Sequence, residues 1–387
     1  MQRIMGFYKY ILCLLCISYV LMSCDKQTNE DIDEAIVLNI EKNVGFKKRD
    51  YLKPHDLKII PLDENNPDSF FKDGKILDVA GDTILLYDHD SFPTRILMFS
   101  LSDGHYLGEI NHQGEGPGEY RFIFGAFVNP KTQSVIIPDI DKPSVYEYSL
   151  KNDSLIKTYE RPDLTLRMPP IGNIEKGINI GTPEEGGLNI FQLNYEFKLT
   201  DSIVVEDFHI RPFISLWTQS GRNGIIFNDD ILYEIKPGNL SPVVSLNTGK
   251  YKLDDKKAKE IFEAMIYSDK PDAESLKHLD NYMIFRDFQL TEDNILVTYA
   301  FDGKNYSDLY DLQSGDILYR IESETDLNTP NKIVLEYSEN PYSQYLTAER
   351  LFTKDNTWYG IINETETTRL KLSEAGNTQV LIVSFKI

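Results

Sequence analysis

Two short acidic runs recur along the chain, Asp88-His89-Asp90 and Asp139-Ile140-Asp141, with their first aspartates 51 residues apart. Carboxylates so placed can bind a hard cation such as Ca²⁺ through oxygen ligands, or act as acid and base on a bound substrate. An aspartate that follows an apolar strand is also an ordinary turn residue, accepting hydrogen bonds from its own backbone. Both readings stand at this level. Between the two runs lies His112-Gln113-Gly114-Glu115-Gly116-Pro117-Gly118-Glu119-Tyr120. Its glycines free the backbone for positive φ, and Pro117 stiffens one point within the loop. Such a loop can turn amide groups toward an anion, yet Glu115 and Glu119 argue against phosphate, and the run does not open a helix as a dinucleotide loop does. Its other reading is an ordered turn that locks two structural units together. Tyr120 can stack on a sugar or peptide, or pack between those units.

The candidate binding set is therefore Asp88, His89, Asp90, Gly114, Glu115, Gly116, Gly118, Glu119, Tyr120, Asp139 and Asp141. No catalytic residue is assigned. The histidines, His55, His89, His105, His112, His209 and His278, form no metal-spaced pair, so a zinc enzyme is not supported. There is no Gly-x-Ser-x-Gly elbow. No cofactor is expected beyond the option of Ca²⁺ on the aspartates.

The elements that would position these residues repeat. Ile84 to Asp90 followed by Ile96 to Leu101 matches Val135 to Asp141 followed by Val145 to Leu150: an apolar strand, an Asp-x-Asp turn, then a second strand. Polar turns follow at Ser102-Asp103-Gly104 and Lys151-Asn152-Asp153, then further strands at His105 to Ile110 and Ser154 to Tyr159. Apolar segments precede each copy, at Lys75 to Ala80 and Phe122 to Val128. Four short antiparallel strands in about 50 residues is the pattern of a propeller blade. Weaker copies at Leu188 to Phe197, Gly224 to Ile235, Asn294 to Leu312 and Trp358 to Leu372 bring the number of units to six. Asp254 to Leu279, with AKEIFEAMI and AESLKHL, reads as a short helical insertion. The expected fold is all-β, a six-bladed β-propeller of four-stranded antiparallel blades over residues 36–387. In the antiparallel blade the second-to-third turns and the links to the next blade meet on one face. Asp88, Asp139 and the glycine loop should therefore share a rim. Ile36 to Ile40 or Leu57 to Leu62 would close the ring against the terminal strand QVLIVSFKI.

The N-terminus supplies an address. Arg3 and Lys9 precede an apolar run from Tyr10 to Met22, too short to span a bilayer comfortably, which ends at Leu21-Met22-Ser23-Cys24. This resembles the lipobox of bacterial lipoproteins. It implies a signal peptide over residues 1–23, an acylated (palmitate-bearing) Cys24 and an acidic tether over 24–35. All three cysteines, Cys13, Cys16 and Cys24, lie in that segment, so the mature chain would hold no disulfide. The formal net charge of −21 argues against nucleic acid, which needs a basic footprint.

The Gly-x-Gly-Pro-Gly-Glu-Tyr stretch, the blade phrasing and the final Val-Leu-Ile-Val strand resemble the six-bladed β-propeller lipoproteins of Bacteroidetes. The resemblance covers nearly the whole mature chain, and the third and fourth blades depart most from it. It implies a propeller held at the outer membrane or cell surface by its lipid. The expected role is a ligand-binding or protein-interaction module for a peptide, glycan or protein partner. The alternative is an extracellular carbohydrate- or peptide-acting lyase or hydrolase using rim carboxylates.

Overall fold

The computed structural model describes residues 35–46, 51–63, 66–71, 74–88, 94–121, 123, 126–139, 141–160, 170–174, 177–184, 187–206, 216–219, 222–226, 230–254, 256–257, 278–324, 331–337, 340, 343–363, 370 and 381–387. The chain divides into two units, residues 1–35 and 36–387. Only the second falls substantially within the described residues. The proposed helical insertion lies mostly outside them, apart from a short 3-10 turn at His278–Asn281. Among the described residues no helix is long and apolar enough to cross a membrane.

Six small antiparallel sheets follow one another along the chain as the blades of a propeller. Blade 1 comprises β3 (Gly74–Ala80), β4 (Thr83–Asp88), β5 (Arg95–Ser100) and β6 (Tyr106–Ile110). Blade 2 comprises β7 (Phe127–Asn129), β8 (Ser134–Pro138), β9 (Ser144–Ser149) and β10 (Leu155–Glu160). Blade 3 holds β11 (Pro170–Ile174), β12 (Gly177–Glu184), β13 (Gly187–Asn194) and β14 (Leu199–Glu206). Its second strand is β12, so the sequence copy at Leu188 to Phe197 is the third strand instead. Two glycines and a proline in GINIGTPE weaken the strand pattern that would have marked the second.

Blade 4 holds β15 (Leu216–Gln219), β16 (Arg222–Ile226), β17 (Ile231–Lys236) and β18 (Asn239–Leu246), and blade 5 holds β19 (Ile284–Leu290), β20 (Asn294–Phe301), β21 (Lys304–Asp311) and β22 (Ile317–Glu324). Blade 6 holds β23 (Lys332–Glu336), β24 (Tyr345–Lys354), β25 (Thr357–Ile362) and β26 (Leu381–Lys386).

Blades 4 and 6 depart from the expected four strands, because each gains a fifth from the N-terminal arm. β2 (His55–Pro61) lies antiparallel along β26, with Ile60 opposite Ile382. This is the closure that Leu57 to Leu62 was expected to provide, and it removes the open edge of the last apolar strand. β1 (Ile36–Leu38) instead adds to blade 4, parallel to β18. Between these strands the arm crosses blade 5, where the carbonyls of Asn43 and Val44 accept hydrogen bonds from Arg320 at 2.6 and 3.3 Å. Arg320 is itself buried in a two-pronged pair with Asp308, at 2.7 and 2.6 Å, which Tyr299 and Tyr310 also reach through their hydroxyls.

The inner strands meet in sequence around the axis: β3, β7, β11, β15, β19, then β24, which returns to β3. β24 takes the inner place in blade 6 because the strand turns at Arg350, a residue with φ of 54°. Its first half pairs with β23 and its second half with β25. A hydrophobic cluster fills every seam. Leu85, Met98, Tyr120 and Tyr148 pack between blades 1 and 2, Leu188 and Ile235 between 3 and 4, and Leu309, Leu351 and Trp358 between 5 and 6. Each strand puts alternate residues on opposite faces, so one blade feeds two seams.

Candidate functional site

Asp88 ends β4 and Asp139 follows β8, each where the second strand of a blade yields to its third. The link from β6 to β7 comes to the same end, as expected. Thr94 donates its amide to Gln113 Oε1 at 2.8 Å, and Arg121 donates its amide to Asp139 Oδ2 at 2.8 Å. His89 and Asp90 lie outside the described residues.

The two aspartates are fully buried. Asp139 accepts from the amides of Arg121, Asp141 and Lys142 at 2.8, 2.9 and 3.3 Å, so its carboxylate is consumed by its own turn and by the link from β6 to β7. Asp88 pairs with Arg95 at 3.3 Å, and Arg95 also reaches Glu109 at 2.8 Å. Asp141 is exposed and contributes only its amide to this turn.

The glycine loop is tied down in the same way. Glu119 folds back so that its Oε2 accepts the Gly116 amide at 2.7 Å. A side chain on Gly114 or Gly116 would strike that carboxylate, with a Cβ 2.0 or 2.9 Å from it. Gly118 holds φ of +77°, where only glycine is unstrained. Lys142 reaches across from blade 2 to the carbonyls of Gly114 and Glu119, at 3.1 and 2.6 Å. Glu115 is exposed and paired with Arg121. Tyr120 has no exposed surface and hydrogen-bonds to Thr94, Ile110 and His112. It packs edge-on against Tyr148, so it cannot stack on a sugar or peptide as its residue type allowed. The loop's amides and carbonyls close the seam between blades 1 and 2. Among the described residues no group of His, Cys, Asp or Glu is placed to hold a metal ion.

A second polar group, which sequence reasoning passed over, sits on the inner strands of blades 5, 6 and 1. In both β3 and β19 the register slips immediately before an aspartate, at Ile76/Asp78 and Phe285/Asp287. A bulge of this kind re-aims the side chains that follow it. Both aspartates grip blade 6. Asp78 accepts Lys354 Nζ at 2.9 Å, and burial raises its pKa against the pull of that lysine. Asp287 accepts hydrogen bonds from Asn331 Nδ2 and, at 3.4 Å, from Gln289 Nε2. Enclosure by the ring pushes its carboxyl up to about 6, while hydrogen bonds from Gln289 and Asn331 and the ammonium of Lys75 pull the other way.

Lys75 is exposed and makes no hydrogen bond or ion pair with the described residues. It stands on blade 1 and Asp287 on blade 5, with blade 6 between them in the ring. Asp287 and Gln289 each keep partial accessibility, and Gln289 Oε1 is buried without a hydrogen-bond partner among the described residues. The signal in sequence was a lone carboxylate inside an apolar strand, in KILDVA and IFRDFQL. Its partners Asn331 and Lys354 are too distant along the chain for that pattern to reveal them.

The family model described as "Domain of unknown function (DUF4934)" matches residues 34–384. No curated protein matches the chain. Among solved structures, it is similar to the BF0058 protein of Bacteroides fragilis NCTC 9343, named as an exported protein. That likeness has 13% identity and a TM-score of 0.54, covering 90% of this chain and 99% of the other. A member of the DUF4221 family from Bacteroides vulgatus ATCC 8482 shows 9% identity and a TM-score of 0.49, covering 86% and 97%.

Proposed function

The chain belongs to the DUF4934 family, and on that premise we propose that it is an extracytoplasmic lipoprotein whose ring is a binding module. Its acylated Cys24 anchors it at the outer membrane or cell surface, and the ring takes a small ligand, peptide or glycan. The observation that carries the binding reading is the axial group. On the inner strand β19 Asp287 and Gln289 keep partial accessibility, and Asp287 has its carboxyl pushed up to about 6, whereas the rim carboxylates Asp88 and Asp139 are buried and engaged. A few polar groups brought together from different blades are the usual make-up of a ligand site.

The name of the Bacteroides fragilis neighbour supports export. The Leu-Met-Ser-Cys run supports the anchor. Cys24→Ala should move the protein from the membrane fraction to the soluble one, and continued sedimentation with membranes would sink the anchor. Binding is tested by thermal shift of the purified chain against metal ions, glycans and peptides. A ligand at 100 times its Kd stabilises by about 2.7 kcal/mol, and no shift with any probe would count against the module.

A lyase or hydrolase is the second reading. It is favoured by one observation, the raised carboxyl of Asp287, since a general acid works best with its pKa near the working pH. Turnover of a glycan or peptide substrate that survives Asp287→Asn unchanged would remove that residue from any mechanism.

A further inference from the structure

We propose that Asp287, Asn331 and the bend in β24 form a pH-set latch that closes the ring between blades 5 and 6, held more firmly when the Asp287 carboxyl carries a proton. The latch does not depend on the binding reading. A chain of hydrogen bonds through one buried side chain carries it. Asn331 stands just before β23 and is buried. Its Nδ2 donates to Asp287 Oδ2 on the inner strand of blade 5, and its Oδ1 accepts the Leu351 amide at 2.7 Å. Its backbone carbonyl accepts the Arg350 amide at 3.0 Å. Arg350, with φ of 54°, is where β24 leaves β23 for β25, and the half of β24 beyond it is the inner strand of blade 6 that meets β3 of blade 1. One asparagine therefore ties blade 5 to the bend on which ring closure depends.

Opening the junction returns Asp287 to water, where its charged form is solvated, whereas closure places it inside the ring wall. That enclosure outweighs the hydrogen bonds from Gln289, Asn331 and the Phe288 amide, so the closed form holds the proton more tightly. Closure is therefore favoured as the pH falls, and the gain is lost as the pH rises through about 6. The elements packed against β19 are β15, β20 and β24. β15 carries no titratable residue. β20 sets Thr298 opposite Asp287 and carries Tyr299, whose hydroxyl donates to Asp308 at 2.8 Å. β24 carries Glu349, which accepts Asn363 Nδ2 at 3.1 Å, Arg350 at the bend, and Lys354, which Asp78 of blade 1 holds at 2.9 Å. Lys332 follows Asn331 on β23, and Lys75 of blade 1 favours the ionised form of Asp287.

The experiment is native-state hydrogen exchange of the full chain, read at the Arg350 and Leu351 amides at pH 7.5 and pH 5 and corrected for the intrinsic effect of pH on exchange. The Leu150 amide of blade 2, which donates to the Gln133 carbonyl at 3.0 Å, is the control. With the carboxyl at about 6 when closed and 3.8 in water, protection at Arg350 and Leu351 should be about tenfold greater at pH 5, with no such rise at Leu150. Asp287→Asn keeps the shape of the side chain and should abolish the rise, which also separates Asp287 from Asp78. Asn331→Ala should lower protection at Leu351 about tenfold at pH 5 and abolish the rise as well. Equal protection of the parent at the two pH values overturns the latch, and so does a rise that Leu150 shares, since that belongs to unfolding of the whole ring. A rise that survives in either variant overturns it too. If Asn331→Ala does not fold, the parent and Asp287→Asn decide the matter by themselves.

Discussion

The seam between blades 1 and 2 and the axial side of blades 5, 6 and 1 are both rich in carboxylates, and they use them in opposite ways. At the seam the buried and loop acids are turned inward or paired, with Asp141 left exposed. Asp139 caps its own turn, Asp88 holds Arg95, and Glu119 holds the Gly116 amide. At the axis Asp287 is raised, Gln289 Oε1 is buried without a hydrogen-bond partner among the described residues, as is Thr94 Oγ1 at the seam, and Lys75 makes no hydrogen bond or ion pair among them. A motif conspicuous in sequence can thus be architectural, while a perturbed carboxylate can rest on a single residue inside an ordinary strand. Satisfied polar networks specify a fold, and incompletely matched ones leave free energy for a ligand to recover.

The contrast can be broken first at Asp139. Its replacement by alanine strips three backbone amides of their acceptor and should cost about 3–5 kcal/mol in urea unfolding. A cost under about 1 kcal/mol would mean that the rim is not held by this turn. Asp287→Asn should act in the other direction and depend on pH. The folded-state carboxyl, near 6, lies above its unfolded value of 3.8. The native state therefore binds the proton more tightly, and this contribution to stability is complete below about pH 3.8 and lost as the pH rises through 6. At pH 7.5 the variant should be more stable than the parent by up to about 3 kcal/mol, and at pH 3.5 the two should converge. Denaturant midpoints at the two pH values decide it.

Gly118→Ala comes next. A Cβ at φ of +77° meets Leu155 of the outer strand of blade 2 and strains the backbone, so a loss of about 1–2 kcal/mol is expected. An unchanged melting temperature would show that the loop can relax. Smallest of all is Lys75→Met, which breaks no hydrogen bond or ion pair among the described residues and should move stability by less than about 0.5 kcal/mol.

Much of this architecture was legible because blades 1 and 2 are near copies. The two Asp-x-Asp runs mark corresponding positions after the second strands, and the strands that follow, β5 and β9, are buried almost throughout because both faces meet neighbouring blades. Blade 3 was displaced by one strand because its glycines and proline blur the period. The fifth strand of blade 4 was invisible for a different reason. Ile36–Leu38 is three residues long and pairs with a strand two hundred residues later, and no local pattern encodes that partner. The rim was placed correctly from blade topology alone. Whether its aspartates were free could not be read, since that depends on which amides curl toward them. Asp287 was missed because its raised carboxyl comes from enclosure by a ring that exists only once β24 has closed against β3.

The central division, a consumed rim against a titratable axis, is tested most directly at Asp287. Urea unfolding of the parent and of Asp287→Asn at pH 7.5 and pH 3.5 gives the contribution of that carboxyl in one comparison. The expected result is a variant more stable than the parent at pH 7.5 and equal to it at pH 3.5. Equal stability of the two proteins at both pH values would contradict the division.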